Sequence, residues 1–355
     1  MPRARDLGIG IGTLPTGPTN SVLDVAGVGL GHTTVTRETA RTGVTSLVLA
    51  EDAYLRPLVA GGAVLNGMGE CTGFVTIRET GMLETPVWLT STMQLGRVYD
   101  AACELELGRH PQVADDVCIP VVGECDDSFL NDCRRMWVTA DDVRAAHAAA
   151  LASRGSSGPP DEGSVGSGTG MSCLGFKGGI GTSSRVTPEG HTVAVLLMTN
   201  FGVRERLTVD GVPVGQLLDG WHGPEGHVER PAGSCIGVAV TDAPVDPAGC
   251  ERLARRIGLG LARTGSVAHH GSGEIFLAAS TAARTDRDGA QVDSGPRLGG
   301  RQLDELFGAV VDAAEEAVLN SMLMSPTTVG RDGNTSEGLD PDVVRRLVEE
   351  HRGRR

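Results

Sequence analysis

The sequence predicts a layered α/β protein. Apolar runs at residues 192–199 and 235–240 have the length and composition of buried strands. Segments with apolar residues at helical spacing accompany them, the longest at residues 302–324. Glycine accounts for 51 of 355 residues, which predicts tight turns and close backbone approaches. Many strands and a few long helices along one chain are typical of sheets covered by helices.

The composition describes a globular protein with ample length for a buried core. The net charge is −14, and this acidic balance argues against nucleic acid or an anionic membrane as a partner. The N-terminus lacks the apolar segment of a secretory signal, and no stretch approaches membrane-spanning length. We therefore expect a cytoplasmic location. The eight cysteines show no CxxC pair and no zinc spacing, so we expect reduced thiols and no metal site.

Capping residues mark the start of three helices. Thr139 precedes two aspartates, and Asp246 and Asp340 each precede a proline at the first helical position. Further helices are predicted at residues 95–107, 212–218 and 302–324.

Two glycine-rich segments need separate interpretation. Residues 154–170 fit either a domain boundary or an active-site loop. Lys177 lies among glycines but lacks the Gly-Lys-Ser/Thr order of a phosphate-binding loop. We expect no nucleotide and no other cofactor.

The most informative stretch is PAGSCIGVAVTDAP, residues 231–244. Ser234 stands at the head of an apolar strand, directly after Gly233, which has no Cβ and can adopt backbone conformations closed to other residues. A serine in this position can attack the preceding carbonyl in an N-to-O acyl shift. Hydrolysis of the resulting ester leaves Ser234 with a free α-amine beside its hydroxyl. Gly-Ser is also a common loop dipeptide, so this stretch needs support from the rest of the chain.

Several polar residues stand at the ends of predicted strands. Glu124 ends the apolar run 118–124, where a solvated carboxylate is the ordinary alternative to a functional one. Asn200 follows the longest strand and can either donate its side-chain N–H to an oxyanion or cap a turn. Ser272 and Glu274 project from the same face if residues 267–278 are extended, and together they can form a proton relay. His269 and His270 would then point to opposite faces, so at most one of them could face a site.

Short motifs throughout the sequence resemble the self-processing aminopeptidases of the P1 peptidase family. This family includes the L-aminopeptidase/D-Ala-esterase-amidases and the β-peptidyl aminopeptidases. The resemblance covers nearly the whole chain, with the motifs in the same order. They include RDLGIGIGTLPTGPTNSVLDVAGVGLGHTT, VLNGMGE, PVVGECDDSFLND, GFKGGIGTSSR, MTNFG, GSCIGVAVTDAP, HHGSGEIFLAAST and EAVLNSMLMSPTTVGRDGNT.

The resemblance implies a four-layer α-β-β-α sandwich, like that of N-terminal-nucleophile hydrolases but with different strand connectivity. It implies a single catalytic domain over residues 1–355 that cuts itself between Gly233 and Ser234. The products would be an α chain of residues 1–233 and a β chain of residues 234–355. A homo-oligomer, a tetramer or larger, is also expected.

The resemblance also assigns roles to individual residues. Ser234 matches the nucleophile, and Ser272 and Glu274 match its serine and glutamate partners. Asn200 matches the oxyanion donor, and Glu124 matches the acid that holds the substrate ammonium. Some members have a tyrosine two residues after this glutamate. Here that position is Asp126, a second potential anion near the amine, so the substrate preference does not carry over.

These observations predict a serine aminopeptidase that removes N-terminal residues from short peptides, amino-acid amides or esters. Two alternatives share the fold. One is an acyltransferase of the ornithine acetyltransferase type, which uses an N-terminal threonine; Ser234 argues against it. The other is a relative that has lost its activity, and the presence of the whole set of site residues argues against that.

Overall fold

Two β-sheets and the helices outside them form the architecture of the computed structural model, which describes residues 1–218, 232–292 and 295–353. The loop expected before Ser234, up to Pro231, therefore lies outside the described residues. The strands of the two sheets are β1 (Gly29–Val35), β2 (Thr42–Val48), β3 (Leu58–Gly67), β4 (Met82–Leu83), β5 (Val87–Ser91), β6 (Val121–Cys125), β9 (Gly179–Val186), β10 (Thr192–Asn200), β11 (Ala232–Thr241) and β12 (Gly271–Arg284). Two short hairpins add β7 (Ser172–Cys173) with β8 (Phe176–Lys177), and β13 (Thr328–Val329) with β14 (Thr335–Ser336).

The smaller sheet has the order β1-β2-β5-β6, and the larger has the order β4-β3-β12-β11-β10-β9. Strands β5 and β6 run parallel, as do β11 and β12, whereas the other neighbours in the two sheets are antiparallel. Parallel strands bring their corresponding ends to the same edge. The starts of β11 and β12, which are distant in sequence, therefore lie side by side at one edge of the larger sheet.

Helices cover the outer faces of both sheets. The helices are α1 (Phe74–Thr80), α2 (Leu95–Arg109), α3 (Ala140–Ser153), α4 (Val214–Leu217), α5 (Pro247–Thr264), α6 (Leu303–Leu323) and α7 (Pro341–Arg352). One apolar cluster joins the larger sheet to α5 and α6, and another joins the smaller sheet to α2 and α3. A third lies between the sheets and contains residues such as Leu89, Val121, Met198 and Ile236. The layers therefore follow the predicted order α-β-β-α.

The abundance of glycine has the predicted cause at the sheet–helix contacts. A Cβ on Gly181 would lie 1.9 Å from the carbonyl oxygen of Ala317 in α6. A Cβ on Gly61 would lie 2.4 Å from the backbone nitrogen of Glu251 in α5. No real Cβ tolerates such contacts, so these glycines allow the long helices to approach the larger sheet closely.

Most predicted helices agree with the structure to within two or three residues. The Thr139 hydroxyl accepts from the backbone N–H of Asp142, and Asp246 accepts from Gly249, which confirms both as N-caps. The segment predicted as extended from residue 267 is a strand only from Gly271. His269 and His270 lie in the preceding loop, where Ala268 has a φ of +48°, so the alternation of a strand does not apply to them.

Two further expectations can be compared with the structure. All eight cysteines are free thiols. Among the described residues, no helix combines the length and hydropathy needed to cross a membrane.

Candidate active site

Ser234 lies on β11, near the centre of the larger sheet. It is paired with Asn200 on antiparallel β10 and with Gly273 on parallel β12. The side chain is 3% exposed, and its hydroxyl oxygen makes no hydrogen bond within the described part of the chain. Burial raises the pKa of the neighbouring Cys125 thiol well above its ordinary value. The thiol therefore stays protonated, and Ser234 remains the candidate nucleophile at this position.

Gly233 owes its place to a close backbone contact. A Cβ there would lie 2.1 Å from the carbonyl oxygen of Asn200 and 2.8 Å from the Cα of Phe201. Its φ is not in the left-handed region, so the unusual backbone conformation expected from the sequence is not the reason for glycine. Glycine is required because β10 leaves no room for a side chain.

Ser272 and Glu274 lie at the start of β12, on either side of the residue paired with Ser234. The Ser272 hydroxyl donates to Glu274 Oε1, which confirms that the two side chains share a face. Burial raises the pKa of Glu274, and the hydrogen bond from Ser272 opposes this shift. The second carboxylate oxygen is buried and has no hydrogen-bond partner among the residues described. This oxygen is free to accept a proton.

Glu124, at the C-terminal end of β6, is also buried, at 4% exposure. Its Oε1 accepts from the backbone N–H of Glu70 at 2.8 Å, and its Oε2 accepts from the Thr92 hydroxyl. Burial raises its pKa, while these two hydrogen bonds favour the carboxylate. Gly69 lies between Glu124 and β12, since a Cβ there would lie 3.2 Å from Glu124 Oε1 and 3.3 Å from the Cα of Gly273, the residue paired with Ser234. Glu124 is thus a buried carboxyl group beside the Ser234 region, not a solvated strand end.

The side-chain amide of Asn200 is held at both ends. Its Oδ1 accepts from the backbone N–H of Ser172 at 2.9 Å, and its Nδ2 donates to the carbonyl of Asp126 at 2.8 Å. An amide nitrogen carries two protons, so one N–H remains for another acceptor. The Asn200 side chain therefore joins the segments that contain Ser172 and Asp126, and it is also a candidate hydrogen-bond donor to an oxyanion.

Asp126 is exposed, and its carboxylate accepts from the backbone and hydroxyl of Ser128, both at 2.9 Å. It lines a cavity of about 480 Å³ with Thr92, Met93, Ser128, Asp132, Cys133, Arg134 and Arg331. Asp126, Asp127 and Cys133 each have one side-chain atom of a kind that can bind a metal ion, and these three atoms lie within 4.8 Å of one another. A hydrogen bond of 3.2 Å from the Cys133 thiol to Asp127 accounts for part of this cluster.

Two contributors were absent from the sequence-based prediction. Thr92 follows β5, which runs parallel to β6, so its position after a strand end was a usable signal. Asn66 on β3 donates to the backbone carbonyls of His269 and Ser272. It holds the chain at the start of β12, and no sequence pattern indicated this.

Comparison with known proteins shows similar sequences and similar structures over nearly the whole chain. The beta-peptidyl aminopeptidase BapA of Sphingosinicella microcystinivorans is 36% identical over 99% of this chain and 93% of its own. The structure of the PH0078 protein from Pyrococcus horikoshii OT3 matches with a TM-score of 0.90 and 36% identity, covering 99% of each chain. The L-aminopeptidase D-Ala-esterase/amidase from Ochrobactrum anthropi matches with a TM-score of 0.88 and 35% identity, again over 99% of each chain. It is described as a prototype of the serine aminopeptidases and a variant of the Ntn-hydrolase fold.

The fold and these matches define an aminopeptidase of the Ntn-hydrolase type. The sequence profile of peptidase family S58 matches residues 20–336, and the chain belongs to this family. It is accordingly a hydrolase, in agreement with the expectation from sequence and against an acyltransferase.

Proposed function

We propose that Ser234 is the nucleophile of a self-processing serine aminopeptidase and serves two reactions in succession. The observation that carries this proposal is the register of three strands. It pairs Ser234 with Asn200 on one side and with Gly273, between Ser272 and Glu274, on the other. A buried hydroxyl without a hydrogen-bond partner, flanked by an amide and a hydroxyl–carboxylate pair, has the components of a covalent hydrolase site.

The first reaction cuts the chain. Ser234 Oγ attacks the carbonyl carbon of Gly233, the C–N bond breaks, and an ester replaces the amide. Water then hydrolyses the ester, which leaves a carboxylate on Gly233 and a free α-amine on Ser234. The free N–H of Asn200 is the candidate donor to the oxyanion in both steps.

The second reaction hydrolyses the substrate. Ser234 Oγ attacks the scissile carbonyl, the amine leaves, and water releases the acyl group from the serine. The proton of the hydroxyl passes either to the Ser272–Glu274 pair or to the new α-amine of Ser234, and the same group returns it to the leaving amine. Glu124 has no cationic partner among the described residues, and a substrate ammonium would supply one. This selects free N-termini and positions the carbonyl.

We infer that Asp126 contributes to substrate choice. Its carboxylate is exposed in the cavity beside Thr92, the residue that holds Glu124, and the Ser128 hydrogen bonds orient it. N-terminal residues with a second, cationic group are the class that this pair of carboxylates favours. A panel of aminoacyl p-nitroanilides, with β-amino and basic residues included, compares this class with others on the parent and on Asp126→Asn. Equal preference in both proteins would remove Asp126 from substrate choice.

The decisive test of the function is Ser234→Ala. The variant should remain a single chain of intact mass and should hydrolyse no aminoacyl p-nitroanilide, while its circular dichroism matches that of the parent. Ornithine added as an acceptor should not change the parent's products, which excludes acyl transfer. Hydrolysis retained by the folded variant would place the nucleophile elsewhere, with Ser272 the next candidate.

A further inference from the structure

Lys177 is the only lysine in the sequence, and its side chain is fully buried. Its ammonium donates to the backbone carbonyls of Gly168 (3.0 Å), Met171 (2.8 Å) and Gly178 (2.7 Å). An ammonium has three protons, so these carbonyls use all of them. Within the described ranges Lys177 forms no ion pair. Burial lowers its pKa to about 7, and electrostatic interaction with the nearby Cys173 and Asp127 opposes this shift.

A single peptide group connects Lys177 to the candidate oxyanion donor. The carbonyl of Met171 accepts from Lys177 Nζ at 2.8 Å and from the backbone N–H of Gly178 at 3.1 Å. The N–H of the same peptide, on Ser172, donates to Asn200 Oδ1 at 2.9 Å. A peptide group is planar, and its oxygen and hydrogen point in opposite directions. Fixing the carbonyl therefore fixes the direction of the N–H.

The direction of this N–H decides which end of the Asn200 amide faces the nucleophile. With Oδ1 held by Ser172, the nitrogen end is free to donate to Asp126 and to one further acceptor. If the peptide rotated, its carbonyl would face the Asn200 oxygen, and the amide would have to turn its oxygen away from Ser172. An oxygen in place of an N–H would repel an oxyanion instead of stabilising it.

We propose that Lys177 is a positioning residue of the aminopeptidase reaction. It holds the Met171–Ser172 peptide and, through it, the Asn200 amide in the orientation that donates to the oxyanion at Ser234. This rests on the proposed function of Ser234 and Asn200. A buried ammonium is costly unless its hydrogen bonds are complete, and an apolar side chain would pack this space without that cost. The lysine is therefore explained by the peptide that it orients.

The first test is Lys177→Met, which keeps a similar length and removes all three donors. We expect kcat to fall roughly ten- to a hundredfold, less than on removal of an oxyanion donor itself, with KM unchanged. The rate of self-cleavage should fall by a similar factor. Lys177→Gln, which retains two donors, should lose less. Values of kcat are calculated per cleaved chain, counted by mass spectrometry.

A matched control separates positioning from general loss of stability. Val143→Ala opens a cavity in the apolar cluster between α3 and the smaller sheet, which contains no residue of the Lys177 hairpin. It should lower the melting temperature and leave kcat unchanged. An equal loss of kcat in Val143→Ala and Lys177→Met would reduce Lys177 to an ordinary core residue.

The second test asks whether Lys177 acts through Asn200. In an Asn200→Ala background, Lys177→Met should cause little further loss of kcat. Losses that multiply would mean that the two residues act independently and would overturn the proposal. Parental kcat in Lys177→Met, together with an inactive Ser234→Ala, would overturn the role of Lys177 alone. Activity in Ser234→Ala would instead overturn the proposed function.

The parent protein offers a test that needs no Lys177 variant. Incorporation of ¹⁵N-lysine gives a single side-chain amine resonance, because the sequence has one lysine. A peptide aldehyde that forms a hemiacetal with Ser234 should shift this resonance, and the same aldehyde should leave it unchanged in Ser234→Ala. A resonance that does not respond in the parent would count against the connection between the two sites.

Discussion

Asn200 and Ser234 are directly paired across β10 and β11. Gly233, the residue before Ser234, packs against the Asn200 carbonyl. The candidate nucleophile and the candidate oxyanion donor are thus fixed by the same strand register. A shift of β11 by one residue against β10 would turn Ser234 to the face of the sheet opposite to Asn200. The antiparallel ladder from Val193 to Asn200 prevents such a shift.

The two products of self-cleavage should stay associated. After a cut before Ser234, β11 remains between β10 of residues 1–233 and β12 of residues 234–355, and β12 remains paired with β3. Denaturing mass spectrometry should show two chains of 233 and 122 residues (355 − 233). Native mass spectrometry should show them in one complex. Separation of the chains without denaturant would contradict the pairing.

Replacement of Gly233 by alanine should slow self-cleavage. The added Cβ would lie 2.1 Å from the Asn200 carbonyl oxygen, so β10 and β11 must move apart. Overpacking of this kind costs about 1–3 kcal/mol. If about 1.4 kcal/mol of this cost is added to the activation free energy of self-cleavage, the reaction slows roughly tenfold. The measurement is the rate at which the intact mass disappears. Gly96→Ala is the control, because its Cβ would have no neighbour within 4 Å; equal rates in both variants would contradict the expectation.

Glu124→Gln should impair hydrolysis without impairing self-cleavage. The change removes the charge that pairs with a substrate ammonium and keeps the size of the side chain and an acceptor for Glu70 N–H. A hydrogen bond to a charged group contributes about 1.5–3 kcal/mol, so kcat/KM should fall roughly ten- to a hundredfold. N-acetylated substrates lack the ammonium, so kcat/KM for these substrates should change little between the parent and Glu124→Gln. If free and acetylated substrates were affected alike, Glu124 would not be the amine site.

Glu274→Gln should lose activity and gain stability at neutral pH. Burial raises the pKa of Glu274 in the folded protein. At a pH between the ordinary pKa of a glutamate and this raised pKa, Glu274 is protonated in the native state and ionised in the unfolded state. Parent stability therefore falls as pH rises through this window, and the neutral glutamine avoids the loss. The measurement is the melting temperature against pH for both proteins.

Activity should have the opposite pH dependence at this residue. If Glu274 accepts the proton through Ser272, parental kcat/KM falls as pH decreases through its raised pKa, and Glu274→Gln removes that limb. Glu106→Gln is the control, since burial raises the pKa of Glu106 to about 6 on a helix away from Ser234. The control should alter stability against pH and leave the kcat/KM profile unchanged. An unchanged profile in Glu274→Gln would make the Ser234 α-amine the base.

The sequence by itself determined the strands, the capped helices and the identity of the candidate residues. Thr139 and Asp246 could be assigned as N-caps because capping depends on residues within one turn. Ser272 and Glu274 could be placed on one face because side chains alternate along a strand. These rules apply within one segment of the chain. The family motifs added the candidate roles of residues that lie in different segments.

Only the tertiary structure decided how distant residues meet. The parallel pairing of β11 with β12 placed Gly273 beside Ser234, and the peptide at Met171–Ser172 connected Lys177 to Asn200. The structure also replaced a conformational reason for Gly233 with a steric one. Such relationships depend on strand register and on contacts between segments far apart in the chain. They are fixed by the simultaneous packing of both sheets and the helices that cover them, which the spacing of residues in one segment does not specify.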